Sequence, residues 1–154
     1  MKKLWLIVAG CVLAVVLLVV LFYYALPYEA QYEFRQDFEQ IEKIEIVAHE
    51  IDQSVLDSME PVKVLDSAER KMLIDALLEM DGGFNNMNPS ELFAEYVIRI
   101  TYRNGEVELI CDWTSGYVDQ DGELHYINYL FDTEQYCALL SDLLGETVTH
   151  PKPQ

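Results

Sequence analysis

One stretch of this chain cannot be left in water. From Leu4 to Leu26 the sequence reads LWLIVAGCVLAVVLLVVLFYYAL, with no charge and no proline across 23 residues. As a helix it would extend about 34 Å, against about 30 Å for a bilayer's hydrocarbon core. Trp5 lies near its start and Phe22, Tyr23, Tyr24 and Tyr28 at its end, where amphipathic rings favour the headgroup layer. Lys2 and Lys3 precede it directly, whereas the first bases beyond it are Arg35 and Lys43. That asymmetry predicts a cytoplasmic stub at 1–3, a transmembrane signal anchor at 4–26 and an extracytoplasmic remainder.

Two processed forms compete with the anchor. A cleaved secretory signal has an apolar core of about 7–15 residues and a small-x-small cleavage site. This run is longer, and Tyr23-Tyr24-Ala25-Leu26-Pro27 offers no such site. Val8-Ala9-Gly10-Cys11 has the shape of a lipoprotein cleavage box, in which Cys11 would carry lipid. Only Leu4 to Ile7 precede it as an apolar stretch, however, and 15 more apolar residues follow the cysteine. The uninterrupted span favours the anchor. Within it, Gly10 and Ala14 form a small-x-x-x-small pair that would permit close packing of a second helix.

Charge then limits the partners. With Lys2 and Lys3 set aside, 27 acids face eight bases beyond Leu26, a net charge near −19. Such a surface repels phosphate backbones, so nucleic acid is excluded, and it repels anionic headgroups. The expected partners are the membrane itself, through the span, and an extracytoplasmic protein.

Periodicity organises the remainder. Tyr28, Tyr32, Phe34, Phe38 and Ile41 recur mostly at three- and four-residue spacings, which predicts a juxtamembrane helical stalk over 27–43. Residues 44–145 are read as one small α+β domain. Ile44, Ile46 and Ala48 alternate in a first strand, and Val62 and Val64 mark a second. Asp66-Ser67-Ala68-Glu69 is a capping box opening a helix striped by Met72, Leu73, Ala76, Leu77 and Met80. Asn104-Gly105 predicts a two-residue hairpin turn with Arg103 opposite Glu106. That register puts Tyr96, Ile98, Ile100, Tyr102, Val107, Leu109, Cys111 and Trp113 on a core face. Arg99, Thr101, Arg103, Glu106, Glu108 and Asp112 fall on a wet one, with Val97 and Ile110 as apolar exceptions there. Asp121-Gly122 predicts a second hairpin, and Asp132 opens a last helix with Gln135 in the capping-box position. The fold class is thus α+β: a transmembrane helix, then an antiparallel sheet of about five strands with two amphipathic helices on one face. The tail, 146–154, is expected to be disordered.

The search for chemistry returns little. His49, His125 and His150 show no His-x-x-x-His spacing and there is no Cys-x-x-Cys, so no metal site and no cofactor is expected. No serine lies in a Gly-x-Ser-x-Gly elbow, and no catalytic residue is assigned. Asp119-Gln120-Asp121-Gly122-Glu123 matches a calcium loop only in part, because Tyr117 and Asn128 stand where acids would be required. Cys111 and Cys137 are the two cysteines beyond the span and are candidates for a disulfide. The loop after Asp81 carries Phe84, Met87, Leu92 and Phe93, a candidate interaction surface. These residues suggest a membrane-anchored binding domain, an accessory subunit of a cell-surface complex and not an enzyme. A carboxylate-dependent hydrolase and a structural membrane subunit are the alternatives.

Overall fold

The computed structural model describes residues 10–19, 28–48, 61–84, 96–111, 115–127 and 129–149. Residues 10–19 form a helix, α1, in which every residue is exposed. It covers ten residues of the apolar run; the rest of that run lies outside the described residues. Among the described residues no helix is long and apolar enough to cross a membrane.

Strand β1 (Tyr28–Glu29) follows, then an extended segment with a single 3-10 turn at Phe38–Gln40, then β2 (Ile41–Ala48). The helical stalk expected over 27–43 is therefore corrected from Tyr28 onward. Its aromatic spacing reflects insertion into the domain, because Tyr32 is buried with ring centroids 4.9 Å from both Tyr129 and Phe131. Phe34 packs edge-on against Tyr32 and Phe38. An extended chain buries those rings on one side without any helical repeat.

The main sheet has six strands in the order β3-β2-β5-β6-β7-β8, all antiparallel. The other members are β3 (Pro61–Val64), β5 (Tyr96–Tyr102), β6 (Val107–Ile110), β7 (Ser115–Val118) and β8 (Leu124–Ile127). A second sheet joins β1, β4 (Gly82–Phe84) and β9 (Tyr129–Phe131). The chain thus carries an α+β fold, with one strand more in its main sheet than expected and a small sheet that the sequence pattern does not announce.

Helix α2 (Ser67–Glu79) begins at the predicted capping box. Asp66 Oδ1 accepts from the N–H groups of Ala68 and Glu69 at 2.8 and 2.9 Å, and Glu69 reaches back to the Asp66 N–H at 3.0 Å. Helix α3 (Thr133–Leu144) is capped by Asp132, which accepts from the Gln135 N–H at 2.8 Å. Gln135 does not complete a box. Its side chain instead bridges to Asp81, donating to Oδ2 at 3.0 Å and accepting from the Asp81 N–H at 3.2 Å. The leucines of both helices (Leu73 and Leu77; Leu139, Leu140 and Leu143) share one core cluster with Ile44, Ile46, Ile98 and Ile100. Burying each such side chain contributes about 1.5–3 kcal/mol.

The tail is corrected as well. Gly145 turns the chain in the left-handed region (φ 73°), and the Val148 N–H then donates to Ser141 Oγ at 2.9 Å. Val148 enters the core, and Glu146 accepts from the Tyr96 hydroxyl at 2.8 Å. The reversal satisfies the open end of α3 and brings an apolar contact with it. Residues 150–154 lie outside the described residues.

Candidate functional site

The decisive local event is the turn between β5 and β6. The Tyr102 N–H donates to the Glu106 carbonyl at 2.9 Å and the Gly105 N–H to the Tyr102 carbonyl at 3.0 Å, leaving Arg103-Asn104-Gly105 as the loop. Gly105 sits at φ 90°. This is a three-residue hairpin with glycine at its left-handed position, in place of the expected two-residue turn. Pairing moves by one residue: Ile100 opposes Glu108 and Ile98 opposes Ile110, while Arg99 opposes Leu109 and Thr101 opposes Val107. A one-residue slip exchanges the two faces. Val107 and Leu109 leave the Ile98–Ile100 face, and Glu108 joins it. The other face is not wet as expected, since Val47, Val97 and Leu109 are fully buried. Trp113 lies outside the described residues.

Glu108 is thereby placed in the core at 0% exposure. The hydroxyls of Tyr32 and Tyr102 donate to its two carboxylate oxygens, one each. The Arg35 N–H approaches Oε2 at 3.4 Å. Burial pushes the Glu108 carboxyl above its usual range, and the two phenol hydrogen bonds oppose that push. Burial, with the carboxylate beside them, also raises both phenols, so they stay protonated as donors. The arrangement can store or release one proton, and two phenols and the sheet close it off from solvent.

From Glu108 a chain of contacts leads outward. Glu108 opposes Tyr117 across β6 and β7, and Tyr117 opposes His125 across β7 and β8. The Arg35 guanidinium lies 3.9 Å over the Tyr117 ring, and that ring stacks on the His125 imidazole at 4.8 Å and 18°. His125 Nε2 meets Asp119 Oδ2 at 2.8 Å. Asp119 Oδ1 accepts from the N–H groups of Asp121 and Glu123 at 3.0 and 2.9 Å, which fixes the carboxylate in the β7–β8 hairpin. These bonds, that of His125 first, hold the Asp119 carboxyl below its usual range. A hairpin does form at Asp121-Gly122, but its loop is the three residues Gln120-Asp121-Gly122 in place of the expected two. The Asp119 N–H donates to the Glu123 carbonyl at 3.1 Å, and Gly122 sits at φ 82°.

The other residues singled out from sequence are dispersed. Cys111 is fully buried in the core and Cys137 packs against the same cluster, but the structure holds both as thiols instead of joining them. Phe84 belongs to β4, with its ring 5.3 Å from Tyr129, so it is not part of an irregular loop. Met87, Leu92 and Phe93 lie outside the described residues, as do His49 and His150. Gly10 and Ala14 both lie on α1, exposed. Sequence reasoning missed Glu108, Tyr32 and Tyr102, because nothing in the alternation of β6 distinguishes a two-residue loop from a three-residue one. The convergence of Asp119, Glu123 and His125 was hidden for the same reason: a two-residue turn at Asp121-Gly122 sets Asp119 opposite Leu124, and only the three-residue loop brings 119, 123 and 125 to one face.

What fold and site together define is a small α+β domain with a carboxyl enclosed by tyrosines, preceded by an apolar helix. No protein-family model matches the sequence, and no curated protein or solved structure is similar to it.

Proposed function

We propose that the chain is a single-pass membrane protein of a bacterial-type cell surface. Its stub, 1–3, is cytoplasmic, and its acidic domain binds a protein partner outside as an accessory subunit. The observation that carries this reading is α1. Val12, Leu13, Val15, Val16, Leu17, Leu18 and Val19 are each more than half exposed and surround the helix on every side. A helix that is apolar all round belongs in a protein core or in lipid, and among the described residues α1 is not part of the core cluster. Lipid around residues 4–26 satisfies it, and Lys2 and Lys3 orient it.

The binding role draws support from an open groove of about 610 Å³ along residues 31–38, lined by Gln31, Phe34, Gln36, Phe38 and Leu78 among others. Phe38 is half exposed beside it. A carboxylate hydrolase is the weaker reading: among the described residues Glu45 is neutralised by Arg99 and Lys43, and Glu108 is enclosed.

Protease added to intact cells should digest residues 44–145, while an alkaline wash should leave the chain in the membrane. Digestion only after permeabilisation would reverse the orientation, and release by the wash would remove the anchor. A photo-crosslinking side chain at position 38 should trap a protein that one at Asp142 does not. Equal trapping at both positions would dismiss the groove as the contact.

A further inference from the structure

We infer that Asp119, Glu123 and His125 form a binding site for a first-row divalent cation of the zinc class, built into the β7–β8 hairpin. One ligand atom from each residue lies within 4.8 Å of the others. The strand pairing explains why. Val118 opposes Leu124, so Asp119 and Glu123 face each other at the mouth of the loop, and His125 stands two residues on, on the same side.

Three features go beyond a group of surface acids. First, the imidazole supplies a nitrogen donor whose plane is set by stacking on Tyr117, which Arg35 covers in turn. A ligand fixed in orientation loses little freedom on binding. Second, Asp119 commits only Oδ1 to the turn and presents Oδ2 to His125 Nε2 at 2.8 Å. Zinc bonds of about 2.0–2.2 Å to nitrogen and oxygen place neighbouring ligand atoms about 3.3–3.5 Å apart in a tetrahedron. The pair needs to part by about half an ångström or slightly more, and exposed Glu123 can swing in. Third, no Lys or Arg forms an ion pair with Glu123 or Asp119 among the described residues. Two carboxylates thus stand beside one imidazole with no Lys or Arg competing for them, and a dication would find both negative charges within reach.

The donor set decides the class of ion. Calcium requires six to eight oxygen ligands and avoids imidazole, whereas one imidazole with two carboxylates suits zinc and its neighbours. Three protein ligands leave a fourth position for water or for a donor from another molecule.

The test uses the full chain in detergent, stripped with a chelator and titrated with Zn²⁺ alone against a chromophoric competitor. One ion per chain is expected. His125→Gln should weaken binding by about tenfold or more, the loss that even outer-shell changes produce. Glu123→Gln, at an exposed position where folding is indifferent, should also weaken it. His49→Gln and His150→Gln should leave it unchanged, and a large excess of Ca²⁺ should not displace the Zn²⁺. Absence of binding, equal binding by His125→Gln and Glu123→Gln, or displacement by Ca²⁺ would overturn the inference. None of these outcomes depends on the membrane reading.

Discussion

Two carboxylates buried in one sheet are handled in opposite ways, and the difference is measurable. Glu45 is 3% exposed, with Arg99 Nε at 3.0 Å and Lys43 Nζ at 3.1 Å. Arg99→Met leaves the Glu45 carboxylate with Lys43 alone and should cost up to about 3–5 kcal/mol in urea unfolding. Replacing Glu45 and Arg99 together with apolar residues of similar volume should recover most of the loss, and failure to recover would mean that the pair does more than neutralise itself. Glu108 has phenols around it in place of cations, and its folded-state affinity for a proton is raised. Below the ordinary glutamate value near 4.5 both folded and unfolded chains hold the proton. As pH climbs from there toward the raised value, only the unfolded chain releases it, so stability falls. Asp66, Glu69 and Asp119, whose carboxyls are held low, lose their contribution only under more acidic conditions. Glu108→Gln should therefore flatten the decline above pH 4.5. Parallel slopes for the two proteins would show that overall acidic repulsion causes the decline.

At the scale of elements, the sequence was legible wherever a motif names its own geometry. Asp66-Ser67-Ala68-Glu69 opens α2 as predicted, whereas Asp121-Gly122 marks the place of its hairpin but not the length of its loop. Legibility failed where two geometries share one motif. Asn104-Gly105 serves a two-residue turn and a three-residue turn equally well, and the choice rests on partners far away, such as the Arg103 N–H donating to the Gln40 carbonyl at 2.9 Å. It failed again at 28–40, where aromatic spacing suits a helix while the partners of Tyr32 lie far along the chain, Glu108 at 76 residues and Tyr129 and Phe131 further still. The small sheet was equally hidden, since Gly82-Gly83 reads as a helix stop. Gly82 has a second role: a Cβ there would stand 2.6 Å from the Leu130 carbonyl oxygen and from the Tyr129 hydroxyl. Gly82→Ala should destabilise the chain by about 1–3 kcal/mol through overpacking, read as a lower urea midpoint. An unchanged midpoint would mean that β4 and β9 separate at no cost.

Taken whole, the molecule joins a strongly acidic domain to an apolar helix. Net charge beyond Leu26 is near −19. Raising ionic strength from about 0.01 M to 0.15 M shortens the screening length from about 30 Å to about 8 Å and should raise the domain's melting temperature. A melting temperature indifferent to salt would place the acids too far apart to repel.

The β5–β6 hairpin gives the folding of the chain a particular hazard. Two pairings one residue apart are each self-consistent, and the one that keeps Glu108 in water is the one that hydrophobic alternation alone would choose. Only when Tyr32 arrives from 76 positions earlier to hold one of its oxygens does the native pairing gain its full reward. A remote residue thus proofreads a local ladder. Refolding of Tyr32→Phe should populate a slow, off-register species, visible as a second kinetic phase that the wild-type chain lacks.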